Sequence, residues 1–285
     1  MAQFSTANIK VSEPFPHVIQ VDLARKPGNA FSTAYWSEYR VVLERIRDEG
    51  EDVRVVVISS AFPKVFSAGL DLSDKTGIPE QKPGVDVART ARSGRQWLLD
   101  FQAAIGTPGR CPFPVIAACH GHIIGLAIDL VTACDIRYAA TNSSFCIKEV
   151  DFGLAADVGA LAYLPRITGN MSHLHELAYT ARPFGAQEAE KLGLVSKMVE
   201  GGRNEVIAAA LEMAKMIARM SPLAISGTKN ILLHSRDHTV QSNLEYTATW
   251  NGANLLTDDL HANIRAFMRK TPAKFVPVTA PATKL

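Results

Sequence analysis

The chain has 285 residues and a net charge of +2, and its lysines and arginines are spread along the sequence. This distribution does not indicate a nucleic-acid-binding protein, which needs basic residues gathered on one face. Hydrophobic residues make up 47% of the chain and charged residues 20%, as in an ordinary globular protein whose length allows one large domain or two small ones.

The first third of the chain reads as strands and one amphipathic helix. Alternating apolar positions in NIKVSE and HVIQVDL predict two adjacent strands. A helix is predicted to start at Asn29 or Ser32 and to end at Gly50. The β-branched run VRVVVISS predicts a strand covered on both faces. A turn, FPKVFSAGLDL, and a polar stretch over 73–84 follow, and that stretch is the candidate mobile loop.

The middle of the chain alternates strands with helices. A helical stretch over about 85–105 leads into the strand PVIAAC, a helix containing Asp129, the strands IRYAA and SSFCIK, and the turn GLAADVG. This order predicts right-handed crossovers and a largely parallel sheet. From Asn170 onward the pattern is mainly helical. We expect these helices to pack on the core or on a neighbouring copy rather than to form an independent domain.

Two features of the middle region exclude other classes of protein. Residues 115–134 are apolar and long enough to cross a bilayer, but His120, His122 and Asp129 interrupt them, so no membrane span is predicted. The cysteines lack the close pairs of a zinc site and are flanked by apolar residues, which favours buried free thiols in a reducing compartment. The N-terminus has no signal-peptide pattern.

The main clue to function is a group of carboxylates in the most apolar third of the chain. Asp129 interrupts HGHIIGLAIDLVTAC, Glu149 follows SSFCIK, and Asp157 closes GLAAD. A buried carboxylate shifts its pKa, finds a partner or does chemistry. Three of them near glycine-rich turns indicate a site where protons are moved.

Each carboxylate also has a purely structural interpretation. Asp129 is then a helix residue paired with Arg137 or with a backbone amide. Glu149 is then in a salt bridge with Lys148 or Arg166. Asp157 is then the N-cap of the helix in VGALAYL.

Three motifs in this order, FSAGLDL, HGHIIGLAIDLVTACD and IKEVDFGLAADVG, resemble the crotonase (enoyl-CoA hydratase/isomerase) superfamily. The likeness runs from about residue 8 to residue 270 and is closest to its dienoyl-CoA isomerases. The specific signal is an aspartate at 129, Glu149, and EVDFGLAAD ending at Asp157. The later segments ISGTKNILLHSRDHTV and LEYTATWN agree with it. One departure is Gly125-Leu126-Ala127, where the superfamily typically has a glycine run.

The resemblance implies an α/β fold, a crotonase-like spiral of ββα units with a C-terminal helical trimerisation region. We expect residues 1–200 to form the spiral core with the acyl-CoA site. We expect residues 201–285 to form helices that assemble trimers or hexamers, followed by a C-terminal tail. It also implies an acyl-CoA thioester substrate, no separate cofactor, no metal and no nucleic acid as partner. Backbone N–H groups of Ala68 and Leu126 are expected to form an oxyanion hole. Expected substrate-binding residues are Arg25, Lys26, Ala68, Gly69, Leu70, Asp71, Leu72 and Gly125.

The expected reaction moves a 3,5-diene to the 2,4 position, which requires proton transfer from C2 to C6. Two carboxylates on opposite sides of an acyl chain can span that distance. Glu149 is assigned as the base at C2 and Asp157 as the acid at C6, although the two roles are exchangeable on sequence grounds. Asp129 is expected to tune their pKa values or hold the geometry.

Other interpretations remain open at this point. An enoyl-CoA hydratase would use Asp129 and Glu149 to hold water and leave Asp157 surplus. A non-catalytic CoA-ester-binding or RNA-binding member would lose its acids, and here all three are present. His120 and His122 are interpreted as structural residues because no third metal ligand is in view. The ending Thr283-Lys284-Leu285 approximates a peroxisomal address, with mitochondrion or cytoplasm as alternatives.

Overall fold

The computed structural model describes residues 1–74 and 83–278. Most of the predicted mobile loop and the terminal Thr283-Lys284-Leu285 therefore lie outside the described residues. The strands are β1 Ile9–Phe15, β2 Val18–Leu23, β3 Val55–Ser60, β4 Val65–Ser67, β5 Val115–Cys119, β6 His122–Ile124, β7 Ile136–Ala140, β8 Ser144–Cys146, β9 Phe184–Gly185 and β10 Lys197–Val199. The helices are α1 Thr33–Glu49, α2 Val87–Ile105, α3 Thr107–Arg110, α4 Leu126–Ala133, α5 Ala160–Ile167, α6 Met171–Thr180, α7 Ala186–Leu192, α8 Arg203–Ala218, α9 Pro222–His234, α10 Val240–Asn254 and α11 Asp258–Arg269. Short 3₁₀ helices cover Ala2–Phe4 and Glu149–Phe152.

The architecture repeats a β-β-α unit. In the pairs β3/β4, β5/β6 and β7/β8, the first strand joins a six-stranded sheet and the second joins a four-stranded sheet. The six-stranded sheet has the order β1-β2-β3-β5-β7-β10, and the other has the order β4-β6-β8-β9. Pairing is parallel from β2 to β10 and from β4 to β8. Each β-β-α unit thus adds one strand to each sheet, which confirms the expected spiral of ββα units.

The predicted elements of the first third are present. Ser32 is the N-cap of α1, since its side chain accepts the Tyr35 N–H, and Gly50 ends the helix. The apolar face of α1 is buried as its periodicity predicts. Every residue of β3 is buried, because both faces of the sheet are covered there. The stretch predicted as a plain turn contains the short strand β4, which the sequence analysis did not anticipate.

Helices cover the two faces of the larger sheet. One cluster of buried side chains joins α1, α2 and α4 to the sheet, and a second joins α8 to β3, β5 and β7. The predicted division near residue 200 stays a prediction, and α8, which follows it, packs directly on the sheet.

The C-terminal helices are tied to the core by buried polar contacts. The Lys229 ammonium on α9 is 6% exposed and donates to the Pro108 and Phe113 carbonyls and to Asp135 Oδ2 at 2.7–2.9 Å. Arg54 holds the segment after α11 by donating to the Phe275 carbonyl. In residues 1–74 and 83–278, no helix is both long and apolar enough to cross a membrane.

Candidate active site

Three separate elements carry the three carboxylates to one place. Asp129 lies in the first turn of α4, Glu149 begins the 3₁₀ helix after β8, and Asp157 lies in the segment before α5. The negative charges of Glu149 and Asp157 both raise the pKa of Asp129, and the charge of Asp157 raises the pKa of Glu149. The predicted grouping of these carboxylates is therefore present in the fold.

Asp129 is the most deeply buried member, with 2% of its surface exposed. Its Oδ1 accepts the Ala160 N–H at 2.6 Å, at the start of α5. Burial is the main cause that raises the pKa of Asp129 to about 7, although this hydrogen bond opposes the shift. Of the two structural partners proposed for Asp129, the backbone amide is correct. The Arg137 guanidinium instead donates to the carbonyls of Cys134 and Leu194.

The prediction that Asp157 caps α5 is wrong. The N-cap position is Gly159, which has no side chain that could cap the helix. Asp129 satisfies the first helical N–H from a different element, which sequence spacing does not reveal. Asp157 is thereby left with its carboxylate uncommitted to the helix. Burial raises the pKa of Asp157 even though its side chain remains more exposed than that of Asp129.

Glu149 lies against the start of α4. A Cβ atom on Gly125 would lie 3.0 Å from Glu149 Oε1, so the absence of a side chain at Gly125 makes room for the carboxylate. Glu149 Oε2 is buried without a hydrogen-bond partner in the described part of the chain. Burial is the main cause that raises the pKa of Glu149. The structural alternative, an ion pair with Lys148 or Arg166, is wrong: Lys148 pairs with Asp151, and Glu149 forms no ion pair with either residue in the described part of the chain.

A backbone N–H that suits an anion lies beside these carboxylates. Leu126 is the first residue of α4, and the leading N–H groups of a helix have no partner within it. Gly125 precedes it with φ of 53°, a conformation that favours glycine. The Leu126 side chain is 4% exposed and packs in the main core. The departure from a glycine run is thus accommodated by burying the leucine.

The assignment of the Ala68 amide to the oxyanion hole is wrong in this structure, because that N–H donates to the Gly28 carbonyl at 2.9 Å. The next residues form a bridge with Phe31, in which Gly69 O accepts from Phe31 N and Asp71 N donates to Phe31 O. In extended backbone, successive N–H groups point in opposite directions. The Leu70 N–H therefore points away from Phe31.

Gly69, which precedes Leu70, lies close to the start of α4. A Cβ on Gly69 would lie 3.6 Å from Leu126 N and 2.6 Å from the Ile124 carbonyl oxygen. The chain at Gly69 thus passes directly beside the start of α4. Within the motif FSAGLDL, the expected Ala68 amide is thus bonded elsewhere. The alternation of N–H directions along an extended segment is the signal that distinguishes Leu70 from Ala68.

The other expected substrate-binding residues have different environments. Arg25 donates to the Ala30 carbonyl at 2.5 Å and to Asp71 Oδ2 at 2.7 Å, so this guanidinium and carboxylate hold each other. Lys26 is exposed beside them. Leu72 is 65% exposed at the edge of the described residues. Of the two basic residues, Lys26 is the one whose charge faces solvent.

The two histidines near the site, His120 and His122, differ in their environments. His120 is fully buried, its Nε2 lies 2.8 Å from the Phe62 carbonyl oxygen, and burial lowers its pKa. His122 is exposed on β6. No cluster of three potential metal ligands occurs in residues 1–74 and 83–278. All four cysteines are buried and free, as predicted.

One residue near the site was missed altogether. Gln102, in the last turn of α2, donates its side-chain amide to the Asp157 carbonyl at 2.6 Å. The two residues are far apart in sequence, and nothing in their local pattern predicts that α2 passes beside the segment before α5.

Comparisons with known proteins show which family this chain is similar to. The family described as "Enoyl-CoA hydratase/isomerase" matches residues 16–277. The chain is 42% identical over 270 residues to the mitochondrial Delta(3,5)-Delta(2,4)-dienoyl-CoA isomerase of Rattus norvegicus, covering 94% of this chain and 82% of the relative. It is 43% identical over 248 residues to the peroxisomal protein of the same activity from Arabidopsis thaliana, covering 87% and 88%. A crystal structure of an enoyl-CoA hydratase from Bacillus anthracis has a TM-score of 0.83 at 28% identity, covering 94% of this chain and 98% of that one.

Proposed function

The chain belongs to the enoyl-CoA hydratase/isomerase family, and we propose that it converts 3,5-dienoyl-CoA thioesters into 2,4-dienoyl-CoA thioesters in fatty-acid β-oxidation. The observation that carries this proposal is the grouping of Glu149 and Asp157 beside the start of α4, with the pKa of each raised. Relatives at 42–43% identity that are named as dienoyl-CoA isomerases support it.

The first chemical requirement is stabilisation of an enolate. Removing a proton from C2, next to the thioester carbonyl, places negative charge largely on the carbonyl oxygen. The N–H groups of Leu126 and Leu70 are the donors we assign to this oxygen, with the partial positive charge of the α4 N-terminus adding to them. Loss of one such donor typically costs about 3 kcal/mol of transition-state stabilisation. Leu70 here replaces the expected Ala68, whose N–H is already bonded.

The second requirement is a pair of groups that exchange protons with the two ends of the diene. One carboxylate takes the proton from C2, the double bonds shift from positions 3 and 5 to positions 2 and 4, and a carboxylic acid gives a proton to C6. We assign the first role to Glu149 and the second to Asp157. Mutual repulsion and burial favour a state in which one of the pair is ionised and the other protonated. Asp129 assists by holding the start of α5 through its hydrogen bond with the Ala160 N–H.

The remaining contacts concern the coenzyme A part of the substrate. Lys26 is the residue we assign to its phosphates, because its ammonium faces solvent whereas Arg25 is paired with Asp71. The proposed reaction relocates one proton without net oxidation, so we propose no separate cofactor and no metal. We also propose that the protein assembles as a trimer or a hexamer.

The cellular compartment is part of this proposal as well. One group of relatives is named mitochondrial and one relative is named peroxisomal, so we propose one of these two organelles. The ending Thr283-Lys284-Leu285 favours the peroxisome. Immunofluorescence of the untagged protein beside peroxisomal and mitochondrial markers distinguishes them, and a diffuse cytosolic signal would contradict both.

The proposed activity is tested by ultraviolet monitoring of purified protein with a synthetic 3,5-dienoyl-CoA, because conjugation with the thioester changes the absorbance as product forms. Glu149→Gln and Asp157→Asn should each lower kcat by about 10²- to 10⁴-fold, the usual contribution of general acid–base groups. Asp151→Asn is the matched control, since Asp151 is an exposed carboxylate on the same 3₁₀ helix. It should retain near-wild-type turnover.

Two results would contradict the proposal. One is near-wild-type turnover in both catalytic variants. The other is faster hydration of a 2-enoyl-CoA than isomerisation of the 3,5-dienoyl-CoA, which would favour the hydratase activity instead.

A further inference from the structure

The segment that carries Asp157 has few hydrogen bonds to the rest of the molecule, although Ala156 and Val158 pack against the main core. At its start, Leu154 N donates to the Glu149 carbonyl at 3.3 Å, and at its end Ala160 N donates to Asp129. Between these points, in the described part of the chain, one hydrogen bond ties residues 155–158 to another element. It runs from Gln102 Nε2 to the Asp157 carbonyl oxygen at 2.6 Å.

Gln102 lies on a closely packed part of α2. The neighbouring Phe101 is 2% exposed, and its ring lies 5.2 Å from the Trp36 ring and 5.4 Å from the Trp97 ring, measured between centroids. Ala104 and Ile105 are also buried. A carbonyl oxygen only accepts hydrogen bonds, so the NH₂ group of Gln102 must face Asp157. The hydrogen bond from Gln102 therefore ties the backbone of Asp157, the proposed acid, to a packed helix.

We propose that Gln102 is a positioning residue that holds Asp157 at the correct distance from the reacting end of the acyl chain. This inference rests on the function proposed above. Glu149 is placed by other contacts, through β8 and its own 3₁₀ helix, so Gln102 acts on only one of the two proton transfers. A misplacement of about 1 Å in such a group costs up to about 100-fold in rate.

The test compares Gln102→Met with Gln96→Met. Methionine keeps the length and helix propensity of glutamine but cannot donate a hydrogen bond. Gln96 lies on the same helix and donates to the exposed Asp100, away from the site, so its variant controls for changes in α2. Asp157→Asn and Glu149→Gln serve as reference variants. Each protein is assayed in D₂O for turnover of 3,5-dienoyl-CoA and for deuterium entering C2 of the substrate and C6 of the product.

We expect Gln102→Met to lower kcat by about 10- to 100-fold with a change in KM of less than about threefold. Its ratio of deuterium exchange to turnover should shift in the same direction as in Asp157→Asn. Gln96→Met should match the wild type in both. A merely structural role of Gln102 would lower exchange and turnover together and leave this ratio unchanged.

The inference is overturned if Gln102→Met behaves like Gln96→Met, if its exchange pattern follows Glu149→Gln, or if exchange and turnover fall in equal proportion. Failure of the proposed function itself is separate, because then the wild-type protein would not turn over 3,5-dienoyl-CoA at all.

Discussion

At the scale of single residues, Asp129 combines a structural hydrogen bond with a raised pKa. Its Oδ1 caps the first N–H of α5, and its burial next to Glu149 and Asp157 raises its pKa to about 7. The reference pKa of an aspartate is 3.8. The folded protein therefore binds this proton more tightly than the unfolded chain does. Ionising Asp129 in the fold must cost stability.

The sign of the pH dependence follows from this upward shift. At pH values below the pKa of Asp129 in the unfolded chain, the residue is protonated in both states, so it does not lower the free energy of unfolding. As the pH rises towards about 7, the unfolded chain releases the proton while the folded protein retains it, so stability falls. Above about 7 the cost is constant.

Asp129→Asn removes this titration and keeps an oxygen that can accept the Ala160 N–H. We expect the difference in the free energy of unfolding between the variant and the wild type to shift in favour of the variant by about 2.5 kcal/mol between pH 5 and pH 8. Urea unfolding at both pH values measures it. Asp237→Asn, a change at an exposed carboxylate, should show no such shift. A difference for Asp129→Asn that is the same at both pH values would show that this group does not titrate in the range.

At the scale of elements, the segment after β4 approaches the start of α4 closely, and these two segments carry the amides that we assign to the oxyanion. Gly69 lies at the contact, with φ of 88°. A Cβ there would be 2.6 Å from the Ile124 carbonyl oxygen, a backbone atom that cannot move aside cheaply. The glycine is needed for two reasons, the positive φ and the lack of space.

Gly69→Ala should therefore push these elements apart and lower kcat by about 100-fold or more, since one or both amides then miss the enolate oxygen. Gly84→Ala is the matched control. Gly84 has a similar φ of 78°, but nothing lies within 4 Å of its Cβ position, so only the backbone strain is shared. Steady-state kinetics of the two variants measures the effect. Equal losses in both would mean that strain alone, and not the close approach, is responsible.

At the scale of the whole molecule, the C-terminal helices expose apolar side chains that a single chain leaves uncovered. Phe267 is 85% exposed, Met268 77% and Leu256 82%. A cavity of about 310 Å³ also opens between α9, α10 and α11, beside Trp250 and remote from the carboxylates. Exposed apolar surface of this kind favours an interface, and we assign it to further copies of this chain.

Phe267→Glu should shift the protein from trimers or hexamers towards monomers, because the interface would have to bury a charge. Sedimentation velocity measures the distribution. Val41→Glu, at an exposed apolar position on α1, is the control and should keep the wild-type assembly. A wild-type protein that sediments as a 30.9 kDa monomer at micromolar concentration would contradict this assignment.

Much of the fold was predictable from local pattern. Ser32 and Gly50 delimit α1 because capping and termination depend on neighbouring residues. The buried strand β3 follows from its β-branched run. The short strand β4 was missed because three residues show too little periodicity to distinguish a strand from a turn.

By itself, the sequence determined the alternation of strands and helices, the family likeness, and the three carboxylates that meet at one site. These depend on residue type and short-range spacing, which the chain carries at every point. Only the tertiary structure decided that Asp129 rather than Asp157 caps α5, that the Ala68 amide is bonded to Gly28, and that Gln102 holds Asp157. Each of these is a contact between distant segments, and the competition for one backbone hydrogen bond is settled only when the packed elements bring its partners within reach.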